Sequence, residues 1–274
     1  VVKVPAIVED EVVGESGPLR ASRLDRGMFR WLSYLADRYV MAKANAVAVP
    51  SPLMFVQLAK SRRISTRNIL IIPAAISLKK VQKARQAIEL ENRRNFKEFT
   101  LGFVGILAWW QGVEALVRAV HKLQSTGLAC RLVIVGDGPQ RKAVEELCRT
   151  LNVNCLITGF IPHEEALKLM SQFDVLVLPR ERTSTTESVV PLKVIEAWAL
   201  GVPVVVTRHK IFELLGLRDG EDVVYCEPTP ESVAQAVRRV LESEHLRDKL
   251  RRRGPQLAER FDYDTIAKRL LNTS

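Results

Sequence analysis

The chain has 274 residues, room for one large or two modest domains and for a sizeable core. Hydrophobic residues make up 47% and charged residues 26%, the balance of a soluble globular protein, and no apolar stretch approaches the roughly 18 residues of a membrane span. The net charge of +10 admits nucleic acid, an anionic membrane surface or simply a basic exterior as explanations.

The basic residues cluster at Arg238-Arg239 and Arg251-Arg252-Arg253, with Glu242, Glu244 and Asp248 between them. Mixed signs at helical spacing mark a solvated face. Aromatic and basic residues are not interleaved as in RNA-binding sheets, which weighs against nucleic acid and leaves peripheral contact with anionic lipid open. The cysteines, Cys130, Cys148, Cys155 and Cys226, lack metal-ligand spacing and read as reduced thiols of a cytoplasmic protein. No secretory signal is visible, and the first residue is Val1, so the chain reads as a piece of a longer one.

Taken in chain order, residues 1–20 show no period. Residues 24–39 predict a helix through Met28, Trp31, Leu32 and Leu35. A strand at 46–49, a helix at 52–60 and a strand at 69–72 follow. The charged stretch 79–97 predicts an exposed helix or linker, and the domain boundary is placed there. Beyond it strands alternate with helices: strands at 99–104, 131–135, 154–158, 175–178, 203–207 and 223–226, and helices at 112–125, 140–151, 163–173, 191–200, 231–242 and 246–261. Short apolar strands in such alternation predict a parallel sheet covered by helices on both faces. Its ligand belongs beyond the carboxyl ends of the strands, on the loops after Val104, Val135, Thr158, Leu178 and Thr207.

Two loops there could carry chemistry. Gly136-Asp137-Gly138-Pro139 leaves a strand and opens a helix, where backbone can approach an anion. Any tight strand-to-helix turn also uses Gly and Asp. The stretch 180–190 reads as a polar loop with Arg180, Glu181, Arg182 and Glu187. Pro191 fits the first helical position after it, leaving the amides of Leu192 and Lys193 for an anion. The Lys193 side chain adds charge, and Glu196, a turn further on, suits the two hydroxyls of a ribose. The competing reading makes Glu187 and Glu196 surface acids that balance Lys and Arg.

Several segments resemble the donor half of the family 4 (group 1) glycosyltransferases of GT-B fold. These are Gly102-Phe103-Val104-Gly105 with Trp109-Trp110-Gln111-Gly112, Leu132 to Pro139, Thr158-Gly159-Phe160-Ile161-Pro162-His163, Asp174 to Arg180, Thr186-Glu187 through Glu196 to Val205, and Phe261-Asp262-Tyr263. The likeness runs over about 170 residues in the expected order. Upstream, Val49-Pro50-Ser51 and Ile72-Pro73-Ala74-Ala75 resemble the end of the family's first domain, most of which has no counterpart.

The resemblance implies a Rossmann-like donor domain at 98–260, an incomplete N-terminal α/β domain with linker at 1–97 and a C-terminal helix at 261–274. It implies retaining transfer from a nucleotide-sugar such as a UDP- or GDP-sugar to a glycan or lipid-linked acceptor, with no metal and no further cofactor. Gly105, Gly136 and Gly138 would border the donor, Gly159 and Phe160 its base, and Arg180, Pro191, Leu192 and Lys193 its diphosphate. Glu196 would hold the ribose. The family's first acid falls on Ser188 by strict spacing, and Glu187, one position earlier, takes the catalytic-site role of binding donor sugar hydroxyls. The family's Arg and Lys diphosphate clamp aligns with Ile106 and Gln111, and Lys193, Arg180 or Arg182 could substitute for it. The rival readings are a nucleotide-sugar epimerase of the same architecture and a non-catalytic nucleotide-sugar-binding fragment or subunit. A cytoplasmic location, with contact at the cytoplasmic membrane face, goes with the lipid-linked acceptor.

Overall fold

The computed structural model describes residues 2–3, 31–32, 35–36, 39–40, 43–62, 69–89 and 98–271. The stretch 1–20 and most of the helix expected at 24–39 fall outside these. The first elements are β1 (Val2–Lys3), β2 (Val47–Val49), α1 (Pro52–Arg62), β3 (Ile69–Ile71) and α2 (Leu78–Glu89). Then come β4 (Phe99–Val104), α3 (Val113–Ser125), β5 (Cys130–Val135), α4 (Arg141–Thr150), β6 (Cys155–Ile157), α5 (His163–Met170) and β7 (Val175–Leu178). The chain continues through α6 (Ser184–Ser188), α7 (Leu192–Leu200), β8 (Val204–Thr207), α8 (Lys210–Leu214), β9 (Val224–Cys226), α9 (Pro230–Glu242), α10 (Glu244–Ala258) and α11 (Tyr263–Leu271).

The described residues form two compact units. One holds residues up to 74 with 182–190 and 209–211, and the other holds 75–181, 191–208 and 212–271. In the smaller unit β1, β2 and β3 pair in parallel, with Val47 opposite Ile69 and Val49 opposite Ile71. Val47, Val49, Met54 and Leu58 form its core, and Val189 packs on it. Ser51 starts α1, its hydroxyl accepting the Met54 N–H at 3.0 Å, and Pro52 follows where a missing N–H costs nothing. Gln57 on α1 donates to the Ser184 carbonyl at 3.0 Å, tying α6 to this unit.

The larger unit is a six-stranded parallel sheet in the order β6-β5-β4-β7-β8-β9. The chain starts at the centre, steps outward to β6, returns beside β4 as β7, and steps outward the other way. β7 and β8 are buried along their whole length, which is why both read as unbroken apolar runs. Helices flank the sheet, and the parallel fold expected from the sequence is present. Gly102 in β4 is small because the Phe173 ring fills the space where a Cβ would stand. Trp198 of α7 is buried, its ring 6.1 Å from that of Phe261. Thr229 and Ser243 cap α9 and α10 through the Ser232 and Leu246 amides.

The sequence put a boundary within 79–97, whereas the compact units divide after Ala74, and α2 belongs with the larger one. The physical reason lies 184 residues away: the Asp262 carboxylate accepts the Leu78 N–H at 3.1 Å. Ile76 also exchanges backbone hydrogen bonds with Phe261 and Tyr263, each at 3.0 Å. The cysteines are free thiols; Cys130, Cys148 and Cys226 are buried and Cys155 is half-buried. No helix among the described residues is long and apolar enough to cross a membrane.

Candidate functional site

Strand order reverses between β4 and β7, so the crevice that such sheets offer a ligand opens beyond Val104 and Leu178. Gly105, just past β4, has φ +146° and donates to the Val135 carbonyl at 2.9 Å. A Cβ at Gly105 would overlap the Lys193 ammonium, and one at Gly136, φ +142°, would overlap the Gly105 carbonyl. At Gly138 a Cβ would come within 2.6 Å of the Leu107 backbone. Gly136 and Gly138 let the loops after β4 and β5 close on each other, while Gly105 leaves room for Lys193, and the Leu107 amide seals the loop contact on the Asp137 carbonyl at 2.9 Å. The Asp137 carboxylate serves its own turn, accepting from Arg141 and from the Gly138 amide, both at 2.7 Å. Those two bonds hold it below the usual carboxylate range.

A short 3₁₀ turn, Trp109–Gln111, follows and buries Gln111. Lys193 reaches across from α7 and donates to Gln111 Oε1 at 3.2 Å, with its ammonium 5.1 Å from the centre of the Phe103 ring. Burial pushes the lysine down to about 7, Arg180 pushes it the same way, and Glu196 opposes both. The Arg180 guanidinium lies 5.3 Å from the centre of the Trp110 ring, and the neighbouring Glu181 amide donates to the Trp110 carbonyl at 2.9 Å. Two cations thus stand at the switch point where the family pattern's own Arg and Lys are replaced by Ile106 and Gln111. Arg182, the third substitute the sequence offered, belongs to the smaller unit.

α7 begins one residue later than expected. Pro191 is its N-cap, with ψ 135°, and not its first helical residue. The cap carbonyl accepts the Val194 amide at 3.0 Å, so the amides of Leu192 and Lys193 stand ahead of the helix's own ladder. Glu196 follows one turn on, its side chain 12% exposed, and its Oε1 lies 2.7 Å from His163 Nε2. His163 opens α5, directly after the segment that carries Gly159, φ +71°, and Phe160, which is 92% exposed.

In the smaller unit, the expected loop 180–190 contains α6. Thr183 and Thr186 form a reciprocal capping box: the Thr183 hydroxyl accepts the Thr186 amide at 3.1 Å, and the Thr186 hydroxyl accepts the Thr183 amide at 2.8 Å. Thr-x-x-Thr was the signal for it. Ser188 is buried, its hydroxyl donating to the Ser184 carbonyl at 2.6 Å. Glu187 Oε2 accepts the Lys210 amide at 2.7 Å, while Oε1 lies 3.3 Å from Arg182 and 3.7 Å from the buried His209. Burial raises the Glu187 carboxyl, but the amide and the two basic side chains outweigh it and hold it low. His209 and the α8 amide escaped the sequence reading, because a single His after a strand carries no spacing signal. Among the described residues, no group of three or more His, Cys, Asp or Glu could hold a metal ion.

The sequence profile of the family described as Glycosyl transferases group 1 matches residues 98–243. An uncharacterised glycosyltransferase of Methanocaldococcus jannaschii is 32% identical over 174 residues, 62% of this chain and 43% of that protein. The GDP-mannose-dependent alpha-(1-6)-phosphatidylinositol dimannoside mannosyltransferase of Mycobacterium tuberculosis is 27% identical over 216 residues, 77% of this chain and 53% of its own. The crystal structure of Anabaena HepE in complex with UDP-glucose superposes with a TM-score of 0.71 at 17% identity, over 88% of this chain and 67% of that one. The fold is that of the GT-B glycosyltransferases. The chain spans about half the length of the curated relatives it matches.

Proposed function

This chain belongs to the group 1 glycosyl transferases, and on that premise we propose that its larger unit binds a nucleotide-sugar donor such as a UDP- or GDP-sugar. The observation that carries this reading is Lys193: its ammonium lies against Gly105 at the switch point of the sheet, on the first turn of α7. Lys193 and Arg180, with the Leu192 and Lys193 amides, hold the diphosphate. Glu196 accepts from the ribose hydroxyls, and Gly159 and Phe160 border the base. As the glycosidic bond to the diphosphate breaks, negative charge grows on the leaving oxygen, and the two cations stabilise it.

Transfer to a glycan or lipid-linked acceptor with retention, without a metal, is the activity proposed for these residues, together with a cytoplasmic location and contact with the membrane face. HepE with UDP-glucose and the GDP-mannose-dependent relative support the donor class. A second reading, donor binding without transfer by this chain alone, takes support from the share of its relatives' length that it spans. Titration with UDP, GDP, ADP and their sugars tests the donor site, and release of free sugar from the bound donor tests turnover. Saturable binding of one nucleotide, lost in Lys193→Ala, is expected. Equal affinity in wild type and Lys193→Ala would overturn the site, and binding with no sugar release or transfer would favour the second reading.

A further inference from the structure

Glu196 is a nearly enclosed carboxylate held by an exposed histidine. Its side chain is 12% exposed, that of His163 is 65%, and 33 residues of chain separate them. A glutamate's last torsion is broad, so its carboxylate plane turns easily unless a partner fixes it. Lys193 stands three residues earlier on the same helix and feels the charge of Glu196. A carboxylate free to turn would swing toward that ammonium and occupy the cation meant for phosphate. His163 pulls from the opposite element, α5, and fills one lone-pair site on Oε1. Three further sites remain, enough for two hydroxyl donors.

We propose that His163 is a positioning residue for ribose recognition: its Nε2–H fixes the Glu196 carboxylate so that it accepts both ribose hydroxyls and stays off Lys193. The inference rests on the donor reading above. It also joins two parts of nucleoside recognition, since His163 directly follows the Gly159–Pro162 turn assigned to the base. The exposed imidazole adds little to the core, so its removal leaves the fold intact.

Calorimetric titration with UDP, GDP and ADP, each beside its 2′,3′-dideoxy counterpart, tests this on wild type, His163→Ala and His163→Gln. Wild type is expected to prefer the ribonucleotide by about tenfold or more, the worth of a hydrogen bond to a charged group. In His163→Ala the ribonucleotide weakens by about that factor while the dideoxy form is unchanged, so the preference collapses. His163→Gln, whose amide can donate to the same oxygen, restores most of it. A merely structural role would weaken both nucleotides alike, and that result overturns the proposal. So does a wild-type preference in His163→Ala, or tighter ribonucleotide binding there, which would make the histidine a competitor of the sugar. If wild type binds none of the nucleotides, the donor reading itself falls, a result distinct from a lost or kept preference.

Discussion

Glu187 and Glu196 lie nine residues apart, yet the first belongs to the smaller compact unit and the second to the larger. Glu187 is bound into its surroundings by the Lys210 amide, Arg182 and His209. Glu196, among the described residues, has His163 as its hydrogen-bond partner and Lys193 as a nearby charge. One carboxylate therefore organises the backbone around it, and the other is held ready with acceptor sites unused. A pair of acids in one motif can divide the labour of holding structure and holding ligand, and the division follows from their partners.

The sharpest break in this comparison is at Lys193. Lys193→Ala should cost about 100-fold in nucleoside diphosphate affinity, the loss of a charge-assisted contact. Its pH dependence runs two ways. With the ammonium near 7, the free protein loses its cation as pH rises through that value, so wild-type affinity should fall above about pH 7 and binding at pH 8 should take up a proton. The fold responds in the opposite sense. Between about 7 and the ordinary lysine value the unfolded chain holds the proton that the native state has released, so stability rises with pH over that window. Titration calorimetry in buffers of different ionisation enthalpy reads the proton, and Lys193→Met should abolish it.

The two acids should separate next. Glu196→Ala is expected to weaken UDP or GDP by about 30-fold whether or not a sugar is attached, since the ribose is common to both. Glu187→Gln should leave nucleotide affinity within about threefold. Equal losses of nucleotide affinity for Glu187→Gln and Glu196→Ala would end the distinction. Glu187 also carries a pH-dependent stability term. Its carboxyl is held low, so its contribution is present above the ordinary carboxylate range and is lost as pH falls through its own lowered value. Acid melts of wild type and Glu187→Gln should converge.

The sheet was readable because parallel strands buried on both faces print as unbroken apolar runs, Val-Leu-Val-Leu in β7 and Val-Val-Val-Thr in β8. The placement of Gly105, Gly136 and Gly138 was readable too, but not its cause, which is the approach of two loops at Gly136 and Gly138 and of the Lys193 ammonium at Gly105. The functional pairings were not readable. Lys193 finds Gln111 across 82 residues and Glu196 finds His163 across 33. Local periodicity says nothing about such distances. The resemblance showed that two clamp cations were missing, and only the fold could choose Arg180 over Arg182 as the one beside Lys193.

The smallest expected effect concerns the short helix on which Glu187 sits. α6 has five residues, too few to persist through its own hydrogen bonds. Its order comes from the Thr183–Thr186 box, from Gln57 on the Ser184 carbonyl, and from Val189 against the core of the smaller unit. Thr183→Ala removes the Thr183 hydroxyl's half of the box and should cost about 1 kcal/mol. Thr183→Ser keeps the acceptor and should cost a few tenths at most. Because Glu187 lies on α6, the Ala variant should also loosen its bond to the Lys210 amide, seen as faster hydrogen exchange at that amide. The Glu196 side should not respond, and ribonucleotide affinity should stay at the wild-type value. A parallel fall in nucleotide affinity would mean that the two acids act as one site and do not divide the work.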